Sequence, residues 1–197
     1  FFDFNLNFDV SSLNFKRVYY KLLNFNKNSK NNLFDVSKKI NGKLNLFINK
    51  IYSNSKFIQS AESKIEFTNG DIVFHRLLLN LGKIGASDIT GIVENNKGFV
   101  SLKFKQNVFI DNFKYFYNKF TIKQYPDIGP KNYFISGNVD LKNFKIYLNE
   151  ISSNEEISNE DKDFIEKNIN SILLENKYAS FFDFFKLKQL VKLILVK

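Results

Sequence analysis

His75 is the only histidine in 197 residues, and the chain has no cysteine. A zinc site needs more nitrogen or sulfur ligands than one imidazole, and carboxylates alone would favour a harder ion. His75 lies between Phe74 and Arg76 in a period-two pattern, on the expected face of Leu77 and Leu79, so it reads as a structural histidine. Glu155, Glu156, Asp161 and Asp163 are the nearest thing to a calcium cluster. They lack the alternating ligand positions and central glycine of an EF-hand, and an acidic first turn of a helix explains them. Gly82-Lys83-Ile84-Gly85 does not follow phosphate-loop spacing, and neither a Gly-x-Ser-x-Gly elbow nor a Gly-x-Gly-x-x-Gly turn is present. The expectation is a protein with no catalytic residues, no metal ligands and no cofactor.

Lys103, Phe104, Lys105, Phe109 and the stretch Lys114–Tyr117 interleave bases with aromatics, as a single-strand nucleic-acid binder would. Strand alternation accounts for the same pattern, with Lys103 and Lys105 on a solvent face opposite Leu102 and Phe104. The net charge is +9, from 29 Lys and Arg against 20 Asp and Glu. Phe, Lys, Asn and Ile all have AT-rich codons, so codon bias explains much of this charge and no nucleic-acid partner is expected. Glu150 to Glu175 reverses the sign locally, with eight acids and two bases.

The elements that would position any site are mostly strands. Phe2, Phe4, Leu6, Phe8 and Val10 alternate in a first strand. Ser12 can cap a helix with Phe15, Val18, Tyr19, Leu22 and Leu23 on one face, and Ser29–Asn32 reads as a loop. From Lys39 to Ile110 five strands follow one another without a helix. Leu44, Leu46 and Ile48 alternate in the first. Ile65 and Phe67 lead into Asn69-Gly70, a two-residue hairpin signal, and Ile72 and Phe74 lead away. Val73, His75, Leu77, Leu79 and Leu81 are expected to share one face. Ile89, Gly91 and Val93 precede the turn Asn95-Asn96-Lys97-Gly98, and Val100, Leu102, Phe104, Gln106, Val108 and Ile110 close the run.

Asp111 can cap a helix over 111–120 with Phe113, Phe116, Tyr117 and Phe120 on one side. Pro126 and Pro130 place a loop over Gln124–Lys131. Ile135–Leu141 and Phe144–Leu148 read as two more strands, or as one long strand with a bulge at 141–144. Ser158 opens a capping box ahead of a helix with Ile165, Ile169, Ile172 and Leu173. Tyr178–Ser180 breaks it, and a last helix starts near Phe181, apolar around more than half its circumference.

The fold class expected is therefore α+β, mainly β. It is a curved antiparallel sheet of about six to eight strands, with short helices and a helical C-terminus. Residues 1–150 form the β-rich region, with inserted helices near 12–26 and 111–120, and 151–197 form a helical extension. The chain has no Met, and its first residues already fit a strand, which suggests a C-terminal fragment of a longer protein whose sheet continues upstream. No stretch reaches the roughly 20 apolar residues of a membrane span.

Three stretches together have a family resemblance: Gly42-Lys43-Leu44-Asn45-Leu46, Ile65-Glu66-Phe67-Thr68-Asn69-Gly70-Asp71-Ile72, and Leu79 through Gly91 with its Leu-Gly-Lys-Ile-Gly turn. They resemble the C-terminal region of AsmA-like proteins (the AsmA/TamB/YhdP group) of AT-rich alphaproteobacteria, over roughly Val36 to Leu148. The resemblance implies a non-enzymatic periplasmic protein, anchored to the inner membrane through a segment outside this sequence. Its elongated sheet would carry phospholipid chains on an apolar face toward the outer membrane. It also implies phospholipid as partner, with an envelope protein as a second partner at the C-terminal helix.

The lining of such a groove is expected from Leu44, Leu46, Ile48, Ile65, Phe67, Leu77, Leu79, Leu102, Phe104 and Val108. A contiguous apolar strip suffices, because each methylene removed from water is worth about 0.8 kcal/mol whatever covers it. The competing expectation is a structural or protein-interaction β-domain, in which helices such as Phe113–Phe120 seal the same face as an ordinary core.

Overall fold

The computed structural model describes residues 2–28, 34, 36–53, 55–96, 99–123, 129–153, 157–173 and 183–195. In chain order the elements are β1 (Phe2–Val10), β2 (Leu13–Asn14), α1 (Phe15–Asn28), β3 (Ile40–Ile48), β4 (Ile51–Tyr52), β5 (Ser60–Thr68) and β6 (Asp71–Asn80). A 3-10 turn (Gly82–Ile84) leads to β7 (Gly85–Asn96), β8 (Phe99–Ile110), α2 (Phe113–Phe120), β9 (Lys131–Asp140) and β10 (Lys145–Ser152). The tail forms α3 (Asn159–Asn168), a π-helical turn (Ile169–Leu173) and α4 (Phe184–Leu195). The mainly β class with short helices is thus the class of the fold.

Eight strands form one open sheet in the order β1-β3-β5-β6-β7-β8-β9-β10, and β2 pairs with β4 in a small second sheet. From β3 to β10 the large sheet is an antiparallel meander. β1 is the exception: it runs parallel to β3. Parallel neighbours need a long crossover, and the segment containing α1 supplies it.

Local chemistry fixes the turns. Asn69 (φ 54°) and Gly70 (φ 93°) both take the positive angles of a tight hairpin between β5 and β6, as the Asn-Gly pair predicts. β9 and β10 are two antiparallel strands rather than one bulged strand. Asp140 makes the turn between them: its carboxylate accepts the Lys142 N–H at 2.9 Å, the Asn143 N–H at 3.0 Å and the Asn143 side-chain amide at 2.7 Å. Burial pushes this carboxyl upward, but the hydrogen bonds from Asn143 and Lys142 hold it below the usual carboxylate value.

The helix starts differ from expectation at two places. Asn14, not Ser12, caps α1 by accepting the Arg17 N–H at 3.2 Å. Asn112, not Asp111, caps α2 by accepting the Tyr115 N–H at 3.1 Å. In each case a carboxamide one or two residues downstream holds the third amide of the helix. Ser158 caps α3 as expected, accepting the Asp161 N–H at 3.1 Å, with Glu160 and Asp161 in the first turn. Asp183 accepts the Phe185 N–H at 3.0 Å as α4 begins. The expected features at Ser29–Asn32, Lys97-Gly98, Pro126, Glu155-Glu156 and Tyr178–Phe181 lie outside the described residues.

Two buried clusters hold the helices to the sheet. Ile72, Val93, Val100, Val139, Leu141, Ile146, Leu148 and Ile151 take up Ile165 of α3. Leu81, Ile84 and Ile110 take up Phe113, Tyr117 and Phe120 of α2, with Ile122. α4 serves both, since Phe184, Leu187 and Val191 pack on the second cluster and Ile194 on the first. The helical tail therefore shares its core with the sheet.

The two sheet edges are treated differently. At β10 the side-chain amide of Asn170 accepts the Ile146 N–H at 2.8 Å and donates to the Ile146 carbonyl at 2.9 Å. Glu166 accepts the Leu148 N–H at 2.7 Å. Helix side chains thus occupy backbone positions that another strand would use. No described strand or side chain does this at the outer edge of β1.

Candidate functional site

Strand register assembles one apolar face across the whole large sheet. Leu6 sits beside Leu44 and Phe8 beside Leu46. Leu44 faces Ile65, and Gly42 faces Phe67. Ile65 faces Phe74, and Ser63 faces Leu77. Leu77 faces Ile89. Gly91 faces Phe104, and Ser87 faces Val108. Cross-strand partners point to the same side, so all ten expected lining residues share this face. Leu44, Leu46, Ile48, Ile65, Phe67, Leu77, Leu79, Leu102, Phe104 and Val108 are all half-buried.

They do not share one environment. Ile65, Phe67, Leu102 and Phe104 pack on the cluster around Val93 and Val139. Leu79 and Val108 pack on the cluster around Phe113 and Phe120. Leu44, Leu46, Ile48 and Leu77 belong to neither cluster, among the described residues. Beside them Leu6 and Phe8 of β1 are 43% and 49% exposed. The face is thus covered by helices toward β7–β10, while Leu44, Leu46, Ile48 and Leu77 of β3 and β6 stand half-buried outside both clusters.

Polar groups on this face include Ser63, Ser87 and Gln106. Ser63 and Ser87 are buried there, and Ser87 Oγ accepts from the Gln106 amide at 2.9 Å. Phe104 lies between Gly91 and Gly137, and its ring covers Gly137 closely enough that a Cβ there would come within 3.1 Å of it. The glycines make a shallow seat for the ring on an otherwise branched surface.

The opposite face is polar and internally paired. Lys103 Nζ lies 2.8 Å from Glu94, Arg76 bridges Glu62 at 3.9 Å and Asp88 at 3.6 Å, and Lys64 reaches Glu62 at 3.8 Å. Lys103 and Lys105 are exposed there, as strand alternation requires. Acids interleave with these bases among the described residues of this face.

His75 is also on the polar face, which corrects the expected grouping of Val73, His75, Leu77 and Leu79. The β6–β7 register shifts between Phe74 and Leu77, and the β5–β6 register between Lys64 and Ile65. This bulge absorbs a residue, so Ile72 and Phe74 join Leu77 and Leu79 on the apolar side. His75 Nε2 meets Glu66 Oε2 at 2.7 Å in an exposed pair. That hydrogen bond, despite an opposing desolvation, holds the Glu66 carboxyl below its ordinary value.

Burial raises the Tyr117 and Tyr133 phenols, the latter also through Tyr117, and lowers Lys119. A polar hollow beside β10 is lined by Lys145, Asp163, Glu166, Lys167, Asn170 and Ser171, but Glu166 and Asn170 are already engaged with backbone. Among the described residues no three His, Asp or Glu side chains could share a metal ion. No described helix is long and apolar enough to cross a membrane.

Sequence reasoning missed Leu6, Phe8, Phe74 and Ile89 on the apolar face. The alternation of β1 was visible in the sequence, but its parallel partner was not. No family model, no curated protein and no solved structure matches the chain.

Proposed function

We propose that this chain is a non-enzymatic part of an AsmA-like envelope protein, and that it holds phospholipid acyl chains on the part of its apolar sheet face that lies outside the two buried clusters. The observation that supports this most directly is the strip Leu6, Phe8, Leu44, Leu46, Ile48 and Leu77. These residues lie side by side in register, half-buried or exposed, outside both buried clusters. A saturated chain laid on such a strip needs only contact, at about 0.8 kcal/mol per methylene buried, and no oriented polar partner. On this reading the full-length protein sits in the periplasm, anchored to the inner membrane, and passes lipid toward the outer membrane. A protein-interaction β-domain is the second reading. It is favoured by the helices already packed over Ile65, Phe67, Leu79, Leu102, Phe104 and Val108.

Native mass spectrometry with lipid extraction separates the two. Co-purifying phospholipid that is lost in Leu46→Asp and Leu77→Asp variants with unchanged thermal melting is the expected result. A lipid-free protein that takes up no fluorescent phospholipid would overturn lipid binding and leave the interaction domain.

A further inference from the structure

We propose that the exposed faces of α1 and α4 form a docking surface for an anionic lipid bilayer, with both helices lying on the headgroup layer rather than crossing it. The inference uses the helices, not the sheet strip, and stands apart from the acyl-chain reading.

A helix turns about 100° per residue, which divides α4 into two arcs. Phe184, Leu187, Leu190, Val191 and Ile194 form the inner arc: Leu190 is buried, and the others pack on the two clusters. The outer arc runs in the order Lys188, Lys192, Phe185, Gln189, Leu193. Phe185 is 68% exposed and Leu193 40%. Lys188 and Lys192 border them half-buried, on long stems that carry a charge past an apolar centre. α1 repeats the pattern. Tyr20 is 53% exposed and stands between the exposed bases Lys16 and Arg17, with Lys21 beyond. Lys16 Nζ is 5.9 Å from the centre of the Tyr20 ring. Neither helix contains an acid.

The two helices are neighbours at the start of α4. Burial raises the Tyr19 phenol of α1, and Asp183 and Lys186 act on it in opposite senses. Asp183 is itself taken up by the Phe185 and Lys186 amides at the α4 N-terminus. A basic composition alone does not produce this segregation, because α3 in the same tail carries Glu160, Asp161, Asp163 and Glu166. Apolar groups centred on an acid-free basic arc match a surface where hydrocarbon lies beneath anionic headgroups. Phe185, Leu193 and Tyr20 enter the apolar layer, while the flanking bases meet the phosphates. The 12 residues of α4 are too few to span a bilayer, and lying flat sets no such length. A nucleic acid would neutralise the same bases but leave Leu193 in water.

The probes are vesicles of phosphatidylcholine alone and of equal parts phosphatidylcholine and phosphatidylglycerol, read by co-sedimentation of the whole chain. The anionic vesicles are expected to bind at least tenfold tighter, by a margin that shrinks as salt rises. The double change Phe185→Ser with Leu193→Ser is expected to weaken that binding at least tenfold with unchanged circular dichroism. If it perturbs the fold, Lys188→Gln with Lys192→Gln decides instead, by lowering the preference for anionic vesicles about tenfold. Leu46→Asp and Leu77→Asp, which disrupt the sheet strip, should leave vesicle binding unchanged, so the two readings fail separately. Equal binding of both vesicles, binding unaffected by the helix variants, or vesicle binding lost in Leu46→Asp would each overturn the proposal. So would tight binding of a single-stranded oligonucleotide with no binding of vesicles.

Discussion

Asn170 holds Ile146 by both of its backbone groups, accepting its N–H at 2.8 Å and donating to its carbonyl at 2.9 Å. A single carboxamide from the π-helical turn thereby imitates the rung of a neighbouring strand. Replacing it by leucine leaves two part-buried backbone groups without a partner. Asn170→Leu is expected to cost about 1–3 kcal/mol in urea denaturation, because the unmade bonds weigh more than the made ones. A loss below a few tenths would show that water replaces the amide freely.

Phe104 and Gly137 form a second matched pair. A Cβ at Gly137 would stand 3.1 Å from the Phe104 ring and 2.5 Å from the Tyr147 carbonyl oxygen. The ring can move, but the backbone oxygen cannot move without disturbing the β9–β10 ladder. Gly137→Ala should therefore destabilise by about 1–3 kcal/mol. Adding Phe104→Leu should recover only part of that, as measured by thermal melting of the double variant.

Among the described residues Phe120 is the most enclosed large side chain, at 1% exposure, with ring neighbours Phe116 at 4.7 Å, Phe57 at 5.6 Å and Phe184 at 5.6 Å. Phe120→Ala empties the junction of α2, α4 and the loop before β5. The expected loss is about 3–5 kcal/mol. Hydrogen exchange should show α4 losing protection along with α2.

Asp140 sets a pH dependence. Its folded carboxyl is held below the unfolded value near 3.9, so its contribution to stability is fully present above that value and disappears as pH falls through the folded one. Denaturation of the parent chain and Asp140→Asn at a series of pH values should give a gap that is constant near neutrality and closes on acidification. A gap that widens below pH 4 would contradict the assignment.

Much of the architecture was legible in the residues. Alternation in Leu44–Ile48 and Val100–Ile110, the Asn69-Gly70 turn and the Phe113–Phe120 stripe each encode a local geometry with one stable solution. The bulge at His75 was not legible, because a period-two pattern runs equally well through Val73 or through Phe74, and only the partner strands choose. The caps at Asn14 and Asn112 were each misplaced onto a neighbouring capping residue, Ser12 and Asp111. Cover over the apolar face was hidden for a different reason. Which part of a sheet a helix protects depends on contacts far apart in sequence, so the ten candidate residues looked equivalent until α2, α3 and α4 divided them.

The parallel strand has a kinetic meaning as well. The β5–β6 and β9–β10 ladders can zip from their own turns, whereas β1 must close a loop across α1 before Leu6 meets Leu44, 38 positions away. Attached along one side only, β1 should be the last strand to dock and the first to detach. One border of the Leu44–Leu77 strip would then come and go on its own timescale while the meander stays folded.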